Sequence, residues 1–209
     1  MQTTCLLFSV EQLKEKNNFD LAYSLIKDKG RKDKINSCLF DGDKRLSLGV
    51  GLLLEFVKKK FNLLDCPILT QESGKPYFFE NPVHFNCSHG KELVAVAISS
   101  SPVGVDLESV KDKRQNIIDK YFVGKEKVKG IESEKAFYEV WTKKESYLKR
   151  QGKTIFNLKE FDVYSLEVLE NADFFMIEKN GYVITVCVDK NQTVEWQTLE
   201  MQDIFSEIN

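Results

Sequence analysis

Two short stretches of the sequence place acidic side chains where they could bind a metal ion. Asp106 and Glu108 are separated by one residue in an apolar run, so on a strand both side chains face the same side. Glu145 and Lys149 are four residues apart, so on a helix they are neighbours on one face. Each feature alone also fits a strand end in water or a solvated surface ion pair. Together they supply carboxylates from two elements, which can hold Mg²⁺ alongside phosphate oxygens and water.

Basic side chains elsewhere in the sequence would suit a ligand that carries phosphate. Arg45, Lys75 and His89 are scattered through the first half of the chain. Residues 27–34 form a basic stretch that is either a solvated turn or a phosphate contact. Lysines beside a metal ion offset phosphate charge, which is the minimum requirement for phosphoryl-group chemistry. The sequence has no Walker loop and no dinucleotide-binding glycine motif, so ATP hydrolysis and hydride transfer are poorly supported.

The composition argues against several other functions. The 209 residues carry 30 Lys and Arg against 32 Asp and Glu, a balance that argues against general nucleic-acid binding. Two histidines are too few for a zinc site built on several imidazoles. Five scattered cysteines without a Cys-x-x-Cys pair predict reduced thiols in a cytoplasmic protein. The first ten residues lack the features of a signal peptide, and no apolar run approaches the roughly 18 residues of a spanning helix, so we expect no membrane segment.

Hydrophobic periodicity predicts the elements that would position the candidate residues. The clearest is a helix from the N-cap Ser133 to Arg150, with Gly152 following its last turn. A second amphipathic helix is predicted at residues 43–61, with Arg45 in its first turn, where an anionic ligand would explain a charge that opposes the helix dipole. The last ten residues are expected to be loosely held. The predicted strands cover residues 3–10, 93–98, 103–108, 161–169, 174–177, 182–188 and 194–199, with a hairpin turn at Asn180-Gly181.

These elements predict an α+β protein with two halves. Each half would contain helices and a few mostly antiparallel strands, and the halves would meet near residues 99–102. We therefore predict an N-terminal half at residues 1–101 and a C-terminal half at residues 102–209. No sequence repeat is strong enough to prove a duplication.

Four segments of the chain resemble, in order and spacing, the motifs of the 4′-phosphopantetheinyl transferases. The segments are Lys75-Pro76, His84-Phe85-Asn86-Cys87-Ser88-His89, Gly104-Val105-Asp106-Leu107-Glu108 and Trp141-Thr142-Lys143-Lys144-Glu145-Ser146, the last followed by Lys149. The length and the segment order resemble the surfactin-synthetase-activating group, a pseudo-dimer in one chain. The resemblance therefore implies two similar halves related by a pseudo-twofold axis. Cys87 departs from the family pattern, which commonly has an aliphatic residue there.

The resemblance implies an activity and its partners. The enzyme would bind coenzyme A and Mg²⁺ between the two halves and transfer the 4′-phosphopantetheine arm to a serine of an acyl, aryl or peptidyl carrier protein. Adenosine 3′,5′-bisphosphate would leave. A single chain that holds both halves is expected to act as a monomer, by analogy of fold.

The resemblance also assigns the acids and lysines of the second half. Asp106, Glu108 and Glu145 would bind the metal ion. Lys149 and Lys144 would face the diphosphate, with Lys149 the stronger candidate. Glu145, Lys149 and Asp106 would be the catalytic residues, and either Glu145 or a water beside it would take the proton of the serine hydroxyl.

The nucleotide end of coenzyme A would contact the first half. By match to the motifs, Ser88, His89, Lys75 and Arg45 would bind it together with its 3′-phosphate. One basic residue of 31–34 would join them, and the sequence does not choose which. The role of Glu126 also stays open, as does that of residues 121–123, which are either a carrier-docking patch or part of the core.

Two alternative functions remain at this stage. A catalytically silent module that binds coenzyme A or a nucleotide would keep the same fold, although the intact acids and lysines argue against this. An α+β interaction domain would leave the acids as solvated strand ends. The sequence does not say which carrier protein or pathway the enzyme would serve.

Overall fold

The computed structural model describes residues 2–112 and 114–208, so Met1 and Asn209 at the outer ends of the predicted halves lie outside the described residues. Its helices and strands confirm the α+β class, whereas the pseudo-twofold relation stays a prediction. The strands are Thr3–Ser9 (β1), Ile68–Thr70 (β2), Pro76–Phe78 (β3), His84–His89 (β4), Leu93–Ser99 (β5), Gly104–Ser109 (β6), Ala172–Lys179 (β7), Tyr182–Asp189 (β8) and Val194–Leu199 (β9).

The α-helices come in groups between the strands: three follow β1, four follow β6 and one follows β9. They are Lys16–Leu25 (α1), Lys29–Ser37 (α2), Asp41–Lys60 (α3), Gln115–Tyr121 (α4), Lys125–Gly130 (α5), Glu134–Gln151 (α6), Leu166–Asn171 (α7) and Met201–Ile208 (α8). Short 3₁₀ helices cover Val10–Lys14 and Ile155–Glu160. Within the described ranges, no helix is long and apolar enough to span a bilayer.

The larger sheet has the strand order β4-β5-β1-β9. Its central strands β1 and β5 are antiparallel and buried along nearly their whole length, as the continuous apolar runs predict. Helix α3 packs its apolar face on this sheet and forms the main core with it. Strand β9 pairs parallel to β1, so a segment from the end of the chain completes the sheet of the first half.

The smaller sheet has the order β6-β8-β7, and all its pairs are antiparallel. Asn180 and Gly181 both have positive φ in the tight turn between β7 and β8, as the predicted hairpin requires. Helix α6 packs across β6 and β8. The Ser133 hydroxyl caps α6 by accepting from the Ala136 N–H, and Gly152 ends it in the left-handed conformation. The predicted helix and its two boundary residues are therefore confirmed.

Three predictions about local structure are wrong. The segment predicted as a strand at residues 161–169 is a loop followed by α7, because its aromatic side chains pack against α6 rather than in a ladder. The end of the chain was expected to be loose, but residues 201–208 form α8 and bury Ile204 and Ile208 against the α3 core, and Asn209 lies outside the described residues. Helix α3 begins at Asp41, so Arg45 lies in its second turn and the helix dipole is not an argument for a ligand there.

Candidate active site

The centre of the candidate site is the buried carboxylate of Asp106 on β6. Its Oδ1 atom accepts hydrogen bonds from Lys149 Nζ at 2.6 Å and from Ser88 Oγ at 3.1 Å. Lys149 Nζ also donates to Ser88 Oγ and to the Val105 carbonyl oxygen. The other oxygen, Asp106 Oδ2, is buried and has no hydrogen-bond partner in the described part of the chain. A buried carboxylate oxygen without a donor is costly, so this atom is suited to a cation.

Glycine at position 104 lets α6 approach β6 closely enough to form this contact. A Cβ atom on Gly104 would collide with the Ser146 carbonyl oxygen and with the Arg150 nitrogen of α6. The close approach brings Lys149 of α6 within reach of Asp106. The glycine just before the acid pair is therefore required by the packing, because any side chain there would push α6 away from β6.

Strand β4 is linked to β6 by polar side chains that alternate along it. Asn86 Oδ1 accepts the Val105 N–H at 2.9 Å, and Ser88, two residues further on the same face, donates to Asp106. These bonds join the large sheet to the small one at the site. Asn86 was not among the predicted site residues, although an amide and a hydroxyl at alternate positions of a strand indicate two polar side chains on one face.

Burial and repulsion between carboxylates raise the pKa values of the two acids next to Asp106. Burial, with the nearby Asp106 carboxylate, raises the pKa of Glu145 to about 7. The same two causes raise the pKa of Glu108. Burial lowers the pKa of Lys149, but Asp106 and Glu145 outweigh this and raise it overall. Acids that resist ionisation together, next to a lysine, mark a site that gains from added positive charge.

These residues line one cavity of about 340 Å³, which we call the acidic cavity. The structure brings together six of the predicted site residues on its wall: Ser88, His89, Asp106, Glu108, Glu145 and Lys149. Within the described residues, no three His, Cys, Asp or Glu side chains already stand in coordinating positions. The donor set nevertheless fits a hard cation, because it offers three carboxylates, and one of them, Asp106, has an oxygen atom without a hydrogen-bond partner among the described residues.

A second cavity of about 440 Å³, the bridging cavity, adjoins the acidic cavity and shares Cys87 and His89 with it. Arg31 and Lys34, two members of the basic stretch 31–34, extend from α2 and line its wall. Ser47 of α3 also lines the bridging cavity, and its buried hydroxyl has no partner among the described residues. Ser47 could not be predicted as a site residue, because an isolated serine in an amphipathic helix is ordinary in sequence.

Lys144 does not reach either cavity, which corrects the expectation that it faces a diphosphate. Its side chain is 0% exposed and forms an ion pair with Glu126, whose side chain is also 0% exposed. Lys144 Nζ donates to Glu126 Oε1 at 2.8 Å and to the Phe161 carbonyl oxygen at 2.6 Å. Glu126 in turn accepts the N–H groups of Val123 and Val163. The role left open for Glu126 is therefore to fix two loops against α6.

Lys75 is likewise held by the protein rather than directed at the nucleotide end, which corrects its predicted role. Its Nζ donates to the carbonyl oxygens of Val103 at 3.1 Å and Arg150 at 2.9 Å. Lys75 thus connects the turn before β3 to the end of α6. Burial and the nearby Arg150 guanidinium lower the pKa of Lys75 to about 8.

Arg45 lies on a different face of α3 from the bridging cavity, so the structure does not bring it to the predicted ligand. It lines a separate surface cavity with Lys44 of α3 and Phe19 of α1. The helix positions that do face the bridging cavity are Asp43, Leu46, Ser47 and Val50.

Residues 121–123, which were either a docking patch or part of the core, differ in burial. Phe122 is buried against Phe137 and Trp141, so it belongs to the core, whereas Tyr121 and Val123 are half-buried.

The fold and the site define an α+β protein with a cleft in which acids and cations meet, as phosphoryl transfer requires. Comparison with known protein families shows which family the chain belongs to. The model of the 4′-phosphopantetheinyl transferase superfamily matches residues 102–194. The chain is 30% identical over 193 residues to "4′-phosphopantetheinyl transferase gsp" of Aneurinibacillus migulanus, covering 79% of this chain and 81% of the relative. This chain therefore belongs to the 4′-phosphopantetheinyl transferase superfamily, and the resemblance read from its motifs is confirmed.

Two further relatives match shorter segments. The chain is 33% identical over 117 residues to "4′-phosphopantetheinyl transferase Sfp" of Bacillus subtilis, which covers 52% of each chain. It is 31% identical over 155 residues to "Putative 4′-phosphopantetheinyl transferase" of Haemophilus influenzae, covering 69% of this chain and 63% of the relative. The match to Sfp thus spans about half the length of either protein.

Proposed function

We propose that this chain transfers the 4′-phosphopantetheine group of coenzyme A to a serine of an apo acyl, aryl or peptidyl carrier protein. The reaction depends on Mg²⁺ and releases adenosine 3′,5′-bisphosphate. Membership of the family supports the transfer. The observation that supports the metal and the diphosphate is the buried, unpartnered Asp106 Oδ2 atom beside Glu108 and Glu145.

The protein's own side chains would divide the chemistry as follows. Asp106, Glu108 and Glu145 hold the ion, which when bound supplies positive charge that offsets the charge of the diphosphate. Lys149 lies across Asp106 and contributes a second positive charge at the reacting phosphorus. Its raised pKa keeps it protonated at neutral pH.

The transfer forms one bond and breaks one. The serine oxygen of the carrier attacks the β-phosphorus of coenzyme A, and the bond from that phosphorus to the bridging oxygen breaks, with adenosine 3′,5′-bisphosphate leaving. The serine proton passes either to Glu145 or to a water that Glu145 orients. Without a bound cation, burial and the nearby Asp106 carboxylate raise the pKa of the Glu145 carboxyl to about 7, and a cation bound to Glu145 would lower it and favour the ionised form that accepts a proton.

We propose that residues 1–101 supply the nucleotide-end contacts and that residues 102–209 supply the acids and the catalytic helix α6. At the nucleotide end, Ser88 and His89 are joined by Arg31 and Lys34, which replace Lys75 and Arg45 in that role. The protein would act as a monomer in the cytoplasm without a nucleic-acid or membrane partner.

The test follows the mass of an apo carrier protein during incubation with the chain, coenzyme A and Mg²⁺. We expect the carrier to gain the mass of one phosphopantetheine group, and we expect a chelator to abolish the gain until Mg²⁺ is restored in excess. The variant Glu145→Gln should lose the activity while keeping its fold, whereas Glu170→Gln, at an exposed position of α7, should not change it.

Other results would favour the alternatives. Coenzyme A binding without transfer to any of several acyl and peptidyl carriers would favour a silent binding module. No binding at all would favour an interaction domain. Full activity of Glu145→Gln would contradict the assignment of the acidic cavity.

A further inference from the structure

The hairpin of β2 and β3 lies between the bridging cavity and the end of α6. It forms a two-stranded sheet separate from the other two, and such a hairpin is only marginally stable unless other elements hold it. Phe78 anchors its base, because this side chain is buried in the main core and packs on Phe85 with the ring centroids 4.6 Å apart. The turn at residues 71–75 is mostly exposed, so contacts outside the core must fix its position.

One side of the hairpin forms part of the wall that the nucleotide end of the donor would meet. Pro76 lines the bridging cavity and, with Thr70 and Gly74, a neighbouring cavity of about 290 Å³. The two cavities also share residues of α2. A nucleotide in the bridging cavity would therefore lie against the hairpin and restrict its motion.

The turn of the hairpin packs against the end of α6. A Cβ atom on Gly152 would lie 3.2 Å from Gln71 Oε1 and 3.7 Å from Ser73 Oγ. Gly152 has a φ of +66°, so it both ends the helix and leaves room for the turn. The hairpin is therefore in contact with the nucleotide-end cavities on one side and with α6 on the other.

Lys75 bonds the hairpin to both elements that form the catalytic centre. Its Nζ donates to the carbonyl oxygens of Arg150 at 2.9 Å and of Val103 at 3.1 Å. Arg150 follows Lys149 in the last turn of α6, where carbonyl groups lack partners within the helix and a cation is favoured by the dipole. Val103 precedes Gly104, where α6 and β6 leave no room for a side chain. Lys75 thus holds the two elements together at the point where they meet.

We propose that Lys75 is a positioning residue that couples nucleotide binding at the hairpin to the position of Lys149 on α6. This inference rests on the proposed function, because it takes a nucleotide-bearing donor as the ligand of the bridging cavity. A nucleotide that holds the hairpin also holds Lys75, and hence the last turn of α6, where Lys149 contacts Asp106. By linkage, a well-ordered α6 in turn strengthens nucleotide binding.

Hydrogen exchange at single backbone amides tests this coupling without requiring any transfer. The Gln71 and Gly74 amides report on the hairpin, since both donate within its turn. The Gly152 amide donates to the Lys149 carbonyl oxygen and reports on the end of α6. In the wild type, we expect saturating adenosine 3′,5′-bisphosphate to slow exchange at all three amides roughly threefold to tenfold, an effect of the size of one hydrogen bond.

Variants of Lys75 separate coupling from a general loss of stability. Lys75→Met should keep the nucleotide-dependent protection of the hairpin amides but lose that of Gly152, whereas Lys75→Arg, which keeps a cationic donor, should restore it. Lys153→Met is the matched control, because Lys153 lies beside the same helix end but pairs with Glu160 at the surface, and it should behave as the wild type. General destabilisation would speed exchange equally with and without the nucleotide.

Two results would overturn the proposal. In the first, the nucleotide protects Gly152 equally in the wild type and in Lys75→Met, which would mean that it acts on α6 directly. In the second, the nucleotide leaves the hairpin amides of the wild type unprotected, which would mean that the hairpin does not sense the ligand.

Transfer kinetics distinguish failure of this inference from failure of the proposed function. With coenzyme A and an apo carrier, Lys75→Met should raise KM for coenzyme A and lower kcat per folded molecule, each roughly threefold to tenfold, without changing KM for the carrier. If Lys75→Met modifies the carrier with the kcat and KM of the wild type, the role of Lys75 alone is refuted. If protection of Gly152 depends on Lys75 but no carrier is modified, the proposed transfer fails and the coupling stands.

Discussion

Two of the lysines of helix α6, Lys144 and Lys149, lie five residues apart and have surroundings that differ in one decisive respect. Lys144 and Glu126 form a buried pair in which the glutamate accepts two further N–H groups and the lysine donates to a carbonyl oxygen. Lys149 and Asp106 form an equally short contact, but Asp106 Oδ2 has no donor in the part of the chain that the structure describes. A polar network that is complete within the protein needs no ligand, whereas one left incomplete at a cavity is built for one.

Removing Lys144 should produce the largest loss of stability. Lys144→Met leaves the Glu126 charge buried without its partner, so we expect the free energy of unfolding to fall by roughly 3–5 kcal/mol. Denaturant unfolding would measure it. The control Lys143→Met removes a half-buried lysine that lies over the Tyr164 ring and has no ion pair among the described residues, so its cost should be about 1 kcal/mol or less. Equal effects of the two variants would contradict a structural role specific to Lys144.

Changing Asp106 should affect activity more than stability. Asp106→Asn still offers Lys149 an acceptor oxygen but loses the charge that faces the cleft. We expect the transfer rate per folded molecule to fall by roughly 10²–10³, the usual effect of removing one electrostatic group from a phosphoryl or acyl transfer site. The control Asp173→Asn breaks a surface pair with Lys190 and should leave the rate unchanged. A normal rate for Asp106→Asn would place the chemistry elsewhere.

Widening the gap between α6 and β6 should change both properties by an intermediate amount. In Gly104→Ala, the new methyl group meets the backbone of α6 at Ser146 and Arg150, so the helix must move outward. Overpacking of this kind costs roughly 1–3 kcal/mol. We also expect kcat to fall, because Lys149 loses its contact with Asp106. The control Gly42→Ala, where an added Cβ atom would meet only the end of Arg45 at 4.0 Å, should leave kcat unchanged.

The contrast between the two lysines also explains which parts of the site the sequence could predict. Asp106, Glu108, Glu145 and Lys149 were found because strand alternation and helical spacing fix which side chains share a face. The confirmed caps of α6 depend on residues next to the helix ends. Such features can be predicted from sequence because they depend only on residues within a few positions of each other.

The errors arose where a partner distant in the sequence decides the direction of a side chain. Lys144 lies within the same motif as Lys149, but its partner Glu126 is 18 residues away. Lys75 is held by the Arg150 carbonyl, 75 residues away, and β9 returns to pair with β1. A single sequence offers no signal for such contacts, because the charge of a lysine is the same whether it meets a ligand or a carbonyl oxygen.

A third lysine acts on α6 and should have the smallest effect, visible as a change in pH dependence. Lys75 is protonated in both the folded and the unfolded chain below pH 8. Between its folded pKa of about 8 and the value of 10.5 in a free side chain, the unfolded chain binds a proton that the folded chain does not. Stability from this group therefore rises with pH in that window.

We expect the free energy of unfolding of the wild type to increase, relative to Lys75→Met, by about 1 kcal/mol between pH 8 and pH 9. Urea unfolding at the two pH values would measure this difference. The control Lys159→Met, at an exposed position, should follow the wild type at both. A constant difference between Lys75→Met and the wild type would mean that Lys75 keeps an ordinary pKa, and that its ammonium reaches solvent instead of being desolvated at the end of α6.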